Sequence, residues 1–165
     1  MNIHIRPYRF SDRDFILSLA ARFSEMELPA WRSRTEIDHA NELSLQKAIH
    51  APEPDSAIFI AETEDGRLAG FIHLQTQADY FNGEKHGYIS DIAVDSSFEG
   101  QGIGRAMMAK AEEWAAQQGY GLLTLYVFAG NARAQQMYEK FGYQKEVIKF
   151  AKVVHPNLGL PFFTG

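Results

Sequence analysis

Gly100, Gly102 and Gly104 stand at alternate positions between an apolar run, Ile89 to Val94, and a helical stripe of Ile103, Met107, Ala111, Trp114 and Ala115. A strand that passes through closely spaced glycines into a helix fixes a strand–turn–helix unit and gives it a physical use. Glycine lets the backbone approach an anion closely, and the N–H groups of the helix's first turn point at that anion. A pyrophosphate suits such a turn, although a plain strand-to-helix turn carries the same glycines. Two nucleotide readings fail on spacing. Counted from Gly100, a dinucleotide fingerprint needs glycine at the sixth position, where Arg105 stands. A phosphate-binding loop of the ATPase type needs Lys-Ser or Lys-Thr after its last glycine, and neither is present.

The rest of the chain surrounds this unit with further strands and helices. Ile3 and Ile5 alternate with His4 and Arg6 ahead of Pro7, a short strand. Ser11-Asp12-Arg13-Asp14 reads as a capping box before the stripe Phe15, Ile16, Leu19, Ala20 and Phe23. Thr35-Glu36-Ile37-Asp38 opens a second helix toward Ile49. Ala57 to Ala61 and Leu68 to Gln77 form a hairpin around Glu64-Asp65-Gly66-Arg67, and Tyr88 to Asp95 is the strand before the glycines. After the helix, which Gly119 ends, Leu122 to Phe128 is a strand. Asn131 caps a helix through Lys140, stopped by Gly142, and Tyr143 to Val154 is a last extended strand. The order β-α-α-β-β-β-α-β-α-β predicts an α+β sheet with one strand–helix–strand unit at its centre.

Composition removes several function classes. A chain of 165 residues is predicted to form a single domain, 1–165, able to bury roughly 70% of its unfolded surface. No cysteine occurs, so disulfides, thiolate metal sites and a cysteine nucleophile are excluded. None of the six histidines has metal-ligand spacing, and no metal is expected. A formal net charge of −5 argues against a nucleic-acid partner. The longest apolar stretch, Leu122 to Ala129, is far short of the roughly 20 residues that cross a bilayer, so no membrane partner is expected. The N-terminus carries no signal-peptide pattern, which predicts a cytoplasmic location.

The run Ile89-Ser90-Asp91-Ile92-Ala93-Val94-Asp95 followed by Gly100-Gln101-Gly102-Ile103-Gly104-Arg105 resembles the acetyl-CoA motif of the GCN5-related N-acetyltransferases (GNAT). Asn131 to Tyr143 resembles their second signature. The likeness is strongest over residues 88–143. It implies a central, mostly antiparallel, splayed sheet flanked by about four helices, and acetyl-CoA as co-substrate. By this resemblance Ile92, Ala93 and Val94 offer backbone groups to the pantetheine arm. Gly100, Gln101, Gly102, Ile103, Gly104 and Arg105 hold the pyrophosphate, while Asn131 and Tyr138 stand near the thioester. Two positions depart from the family pattern. Its turn usually opens with Arg or Gln, where this chain has Glu99, and some relatives carry a glutamate where it has Ser90. A carboxylate beside a pyrophosphate is unfavourable unless it points to solvent or to a cation, and Arg105 is a candidate source of positive charge.

Acetyl transfer to a primary amine on a small molecule, polyamine or peptide needs a neutral amine and a proton for the departing thiolate. An ammonium with a pKa of about 10.4 is neutral in about one part in 10³ at pH 7, so a general base is useful. With no cysteine, direct attack in a ternary complex is the simpler scheme. Tyr138 follows Asn131 by seven residues, about 10.5 Å along a helix and nearly on the same face, and a phenol is a suitable acid. The other reading packs Tyr138 with Ala134, Met137 and Phe141. Asp91 is the base candidate or a structural carboxylate, with His73 and His86 as alternatives. Between residues 36 and 65 eight acids face Lys47 alone, a local net of −7 that either steers a cationic acceptor or solvates a face. Trp31, Tyr80, Phe81 and Leu160-Pro161-Phe162-Phe163 line an acceptor pocket, close the core, or make a homodimer contact. A non-catalytic acyl-CoA-binding module would share every motif except the acid–base groups.

Overall fold

The structure, a computed structural model, describes residues 2–154. Five strands, β1 (Ile3–Pro7), β2 (Ala57–Thr63), β3 (Leu68–Ala78), β4 (Lys85–Val94) and β5 (Leu123–Leu125), lie in chain order in one open sheet. β1 to β4 are antiparallel neighbours, whereas β5 runs parallel to β4. Helices α1 (Arg13–Ser18), α2 (Arg34–His50), α3 (Ile103–Gln117) and α4 (Ala132–Lys140) flank the sheet. This is the mixed, mostly antiparallel α+β architecture read from the sequence. No helix among the described residues is long and apolar enough to cross a membrane.

Each face of the sheet has its own core. α3 presents Met107, Met108, Ala111, Trp114 and Ala115, spaced along one helical stripe, to Ile72, Leu74 and Ile89. On the other face, Ile16, Leu19 and Leu45 from the α1 and α2 region cover Ile60, Phe71 and Ala93. Phe71, Ile72 and Leu74 are fully buried, each contributing about 1.5–3 kcal/mol. α2 starts one residue before Thr35, because Ser33 and Glu36 make the box. Ser33 Oγ accepts the Glu36 N–H at 3.0 Å, and Glu36 accepts the Ser33 N–H at 3.4 Å.

Three sequence expectations are corrected. Ser11 does not cap α1. The buried Asp12 carboxylate instead accepts from the Arg9 N–H and from both terminal nitrogens of Arg6, at 2.7 and 2.9 Å. The helix is correspondingly short, and Ala20–Ser24 is a tighter 3-10 turn. The strand expected over Leu122 to Phe128 contracts to β5, since the chain already turns where the Asn131 N–H bonds to the Phe128 carbonyl. Tyr143 to Val154 forms no strand. Its apolar residues come as adjacent pairs, Val147-Ile148, Phe150-Ala151 and Val153-Val154, which give a strand no single face to bury. Without it, the strand–helix–strand unit β4-α3-β5 lies at the edge of the sheet rather than its centre.

Candidate active site

The glycine turn has the geometry its sequence demands. Gly100 and Gly102 adopt φ of 74° and 79°, the left-handed region that other residues enter at a cost. A side chain on either would meet nothing within 4 Å, so both sit against open space. Gly102 is the N-cap of α3, and the first helical bond runs from the Ala106 N–H to the Gly102 carbonyl at 3.1 Å. The N–H groups of the preceding residues have no intrahelical acceptor. Glu99, at the mouth of the turn, points to cations. It forms ion pairs with Arg22 and with Arg133, the latter at 3.5 Å. Arg22 first, then Arg133, hold its carboxyl below the usual carboxylate range. Arg105 does not take part; its guanidinium lies over the Phe141 ring, 5.9 Å from the centroid.

β4 carries a bulge just before this turn. His73 of β3 pairs with Asp91 and Leu74 pairs with Ile89, so Ser90 is an extra residue. One extra residue inverts the alternation of side chains. Before it, Ile89 packs into the core under α3; after it, Ile92 and Val94 do. Tyr88 and Asp91, three residues apart, therefore share the opposite face with their cross-strand partners Gln75 and His73. Asp91 Oδ2 lies 2.9 Å from His73 Nδ1, and the two side chains are 10% and 3% exposed. Because a carboxylate only accepts, Nδ1 carries the proton. Burial raises the Tyr88 phenol above its ordinary pKa, aided by the charge of Asp91. The Tyr126 ring meets Tyr88 edge-on at 5.7 Å.

β5 accompanies β4 only from Gly87 to Ile89 and then departs, while β4 continues to Val94. The backbone of Ile92, Ala93 and Val94 therefore borders a notch rather than a strand. Gly130 packs so closely on the segment after the 3-10 turn that a side chain there would come within 2.1 Å of the Glu27 carbonyl. α4 lies beside the glycine turn, with Met137 Sδ 3.8 Å from where a side chain on Gly104 would stand. Asn131 caps α4 by accepting the Ala134 N–H at 3.1 Å, and Gln135 Nε2 donates to the carbonyls of Phe128 and Ala129. Tyr138 packs edge-on to Tyr143 at 6.0 Å, and burial raises its pKa, so the phenol is protonated at neutral pH.

Residues 92–94 end β4 and residues 100–105 form the turn that follows; α4 reaches that turn through Met137, Tyr138 packs against the core under α3, and Asp91 lies on the other face of β4, paired with His73. His86 is buried at the start of β4, and its Nδ1 has no partner among the described residues. The acidic stretch is not one patch. Glu36, Glu53, Asp55, Glu62 and Asp65 are paired with Arg32, Lys47, Lys85, Arg6 and Arg67 respectively. Tyr80 and Phe81 are exposed at the β3–β4 hairpin, at the opposite end of β4 from the glycine turn. Trp31 is half-buried in the segment before α2. Leu160 to Phe163 lie outside the described residues. Sequence reasoning missed Arg22, Arg133, Gln135 and the pairing of His73 with Asp91. Only the bulge had a signal: apolar positions Ile89 and Ile92 are separated by three, which strict alternation forbids.

Comparison with known proteins agrees with this fold. A Stenotrophomonas maltophilia aminoglycoside N(6')-acetyltransferase type 1 is 24% identical over 143 residues, covering 84% of this chain and 90% of that one. Streptothricin acetyltransferase of Streptomyces lavendulae is 36% identical over 91 residues, 55% of this chain and 46% of that protein. This chain thus spans less than half of the latter. A solved structure from Pyrococcus furiosus, provisionally assigned as an acetyl transferase, superposes with a TM-score of 0.74 at 27% identity, covering 93% of this chain and all of that one. The profile of the acetyltransferase (GNAT) family matches residues 19–143, from the end of the first helical region through the segment that follows α4. With a match of that extent, the chain belongs to the acetyltransferase (GNAT) family.

Proposed function

We propose that this protein moves an acetyl group from acetyl-CoA to a primary amine by direct attack in a ternary complex, with a small-molecule amine as the acceptor. The observation that carries this reading is the notch beside β4. It has an anion-binding helix start at one end and a buried carboxylate, Asp91, on the acceptor face. The residues fit the coenzyme: left-handed Gly100 and Gly102 leave open space where a pyrophosphate would press, beside α3 N–H groups without intrahelical acceptors. Gly100 to Arg105 would hold the pyrophosphate, residues 92–94 the pantetheine amides, and the side-chain amide N–H of Asn131 would donate to the same arm while its oxygen caps α4. The small-molecule assignment is supported by the relatives named for an aminoglycoside and for streptothricin.

Bound acetyl-CoA supplies an activated acyl group. Asp91 accepts the proton that the acceptor ammonium must lose before its nitrogen can form the new C–N bond. As the C–S bond breaks, Tyr138 gives its phenolic proton to the departing thiolate and regains one from solvent. Burial raises the Tyr138 pKa, so at neutral pH the phenol is present in the form that can donate a proton. The deciding experiment is release of free coenzyme thiol from acetyl-CoA against a panel of aminoglycosides, polyamines and lysine peptides, with product masses. Acetylation of a small amine supports the reading. Tight acetyl-CoA binding with no acetylated product from any amine would leave a binding module instead.

A further inference from the structure

We infer that His73 is a positioning residue for Asp91: its Nδ1–H holds one carboxylate oxygen and so presents the other to the acceptor ammonium. This rests on the acetyl-transfer reading above and concerns a residue that the reaction scheme does not otherwise use. Four observations converge on it. The two residues are direct cross-strand partners, so the pair is fixed by the sheet rather than by flexible side chains. The contact is 2.9 Å between Nδ1 and Oδ2. His73 is the more deeply buried of the two, at 3% against 10%, so what exposure the pair has belongs mainly to the carboxylate. The Ser90 bulge, finally, is what turns Asp91 onto the same face as His73; without it Asp91 would point into the core under α3.

The chemical argument is one of orientation. A lone aspartate beside a cleft rotates about its side-chain bonds, and an oxygen aimed at a given ammonium is one arrangement among several. Anchoring Oδ2 removes that freedom before the acceptor arrives, as second-layer hydrogen bonds do elsewhere. The anchoring donor must be neutral imidazole N–H or imidazolium. In either form the Nδ1–H donates to Asp91 Oδ2, and that bond is what anchors the carboxylate.

The test joins a measurement on the free protein to kinetics. Nitrogen-15 spectra of the ring nitrogens should show His73 protonated at Nδ1 in the wild type, with both signals moving in Asp91→Asn. A ring protonated at Nε2 alone would overturn the proposal. In His73→Leu the melting temperature is allowed to fall, but acetyl-CoA affinity should stay within about twofold. Its kcat should fall at least tenfold, by less than the about 10²–10⁴ expected for Asp91→Asn. His73→Gln, whose amide N–H can replace the Nδ1–H, should regain most of that loss, and acceptor KM should move little in either variant. Wild-type kcat in His73→Leu would sink the proposal, as would equal losses in the Leu and Gln variants that follow their melting temperatures. If wild-type protein acetylates no amine, the transferase reading fails with it. Turnover by the wild type that His73→Leu leaves intact refutes this inference alone.

Discussion

Arg22 and Glu99 form an ion pair across 77 residues of sequence, joining the 3-10 turn before α2 to the mouth of the glycine turn. Glu99 also meets Arg133 at the start of α4, so one carboxylate ties together three segments around the notch. In the proposed site an acid stands beside the pyrophosphate, and its charge is spent on two guanidiniums rather than directed at the anion. Arg22→Ala should weaken acetyl-CoA binding about three- to tenfold, because it leaves Glu99 less neutralised. Glu99→Gln alone should not weaken it, and the double variant should return toward wild type. Calorimetry of the four proteins at low and high salt measures the cycle, and additive effects would contradict it.

Gly130 is fixed by proximity rather than by its backbone angles. A methyl group there would collide with the Glu27 carbonyl at 2.1 Å, so Gly130→Ala must push the segment before α2 away from the β5–α4 loop. The expected cost is about 1–3 kcal/mol of stability, as for other overpacking changes. Acceptor KM should rise while acetyl-CoA affinity changes little. Chemical denaturation and steady-state kinetics on this variant check both parts.

Tyr138→Phe keeps the ring against Tyr143 and removes the proton donor. Its fold and acetyl-CoA affinity should be nearly unchanged, while kcat falls by about 10²–10⁴. Burial raises the phenol's pKa, so any high-pH limb it causes lies above pH 10 and should vanish in the variant. The same shift has a stability consequence. A raised folded pKa contributes stability that is complete below about pH 10 and is lost as pH climbs through the folded value. Tyr143 is shifted in the same direction, mainly by burial, so melting temperature should drop at alkaline pH and drop less when both are phenylalanine.

Much of this was legible in the sequence, and the remainder has identifiable physical causes. Helices α2, α3 and α4 announce themselves by caps and apolar spacing, and the left-handed turn by its glycines. Asn131 and Gly142 bound α4 as read. The bulge at Ser90 changes which face every later side chain occupies, and its one trace in the sequence is the three-residue spacing of Ile89 and Ile92. The partners of Glu99 could not be read, since Arg22 and Arg133 are brought to it only by packing of distant segments. Tyr143 to Val154 is apolar enough to suggest a strand, but its paired apolar residues give a strand no single face to bury.

Asp12 is the clearest determinant of stability away from the site. Burial alone would raise its pKa, but the Arg6 guanidinium and the Arg9 N–H outweigh that and hold it below the carboxylate range. Arg6 is itself 6% exposed, so Asp12→Asn leaves this buried cation with Glu62 as its remaining charged partner. The expected loss is about 3–5 kcal/mol, measurable by urea unfolding. Because the folded pKa is depressed, this stabilisation is present above about pH 4 and disappears as pH falls through the folded value. The variant should therefore show a weaker acid dependence than the wild type.

The central claim is that donor and acceptor meet across β4 in one complex, with Asp91 on the acceptor face and the glycine turn holding the donor. Initial velocities measured over a matrix of acetyl-CoA and amine concentrations test it most directly. Direct attack in a ternary complex predicts double-reciprocal lines that intersect. Parallel lines, the mark of an acyl group parked on the protein before the amine binds, would contradict the account.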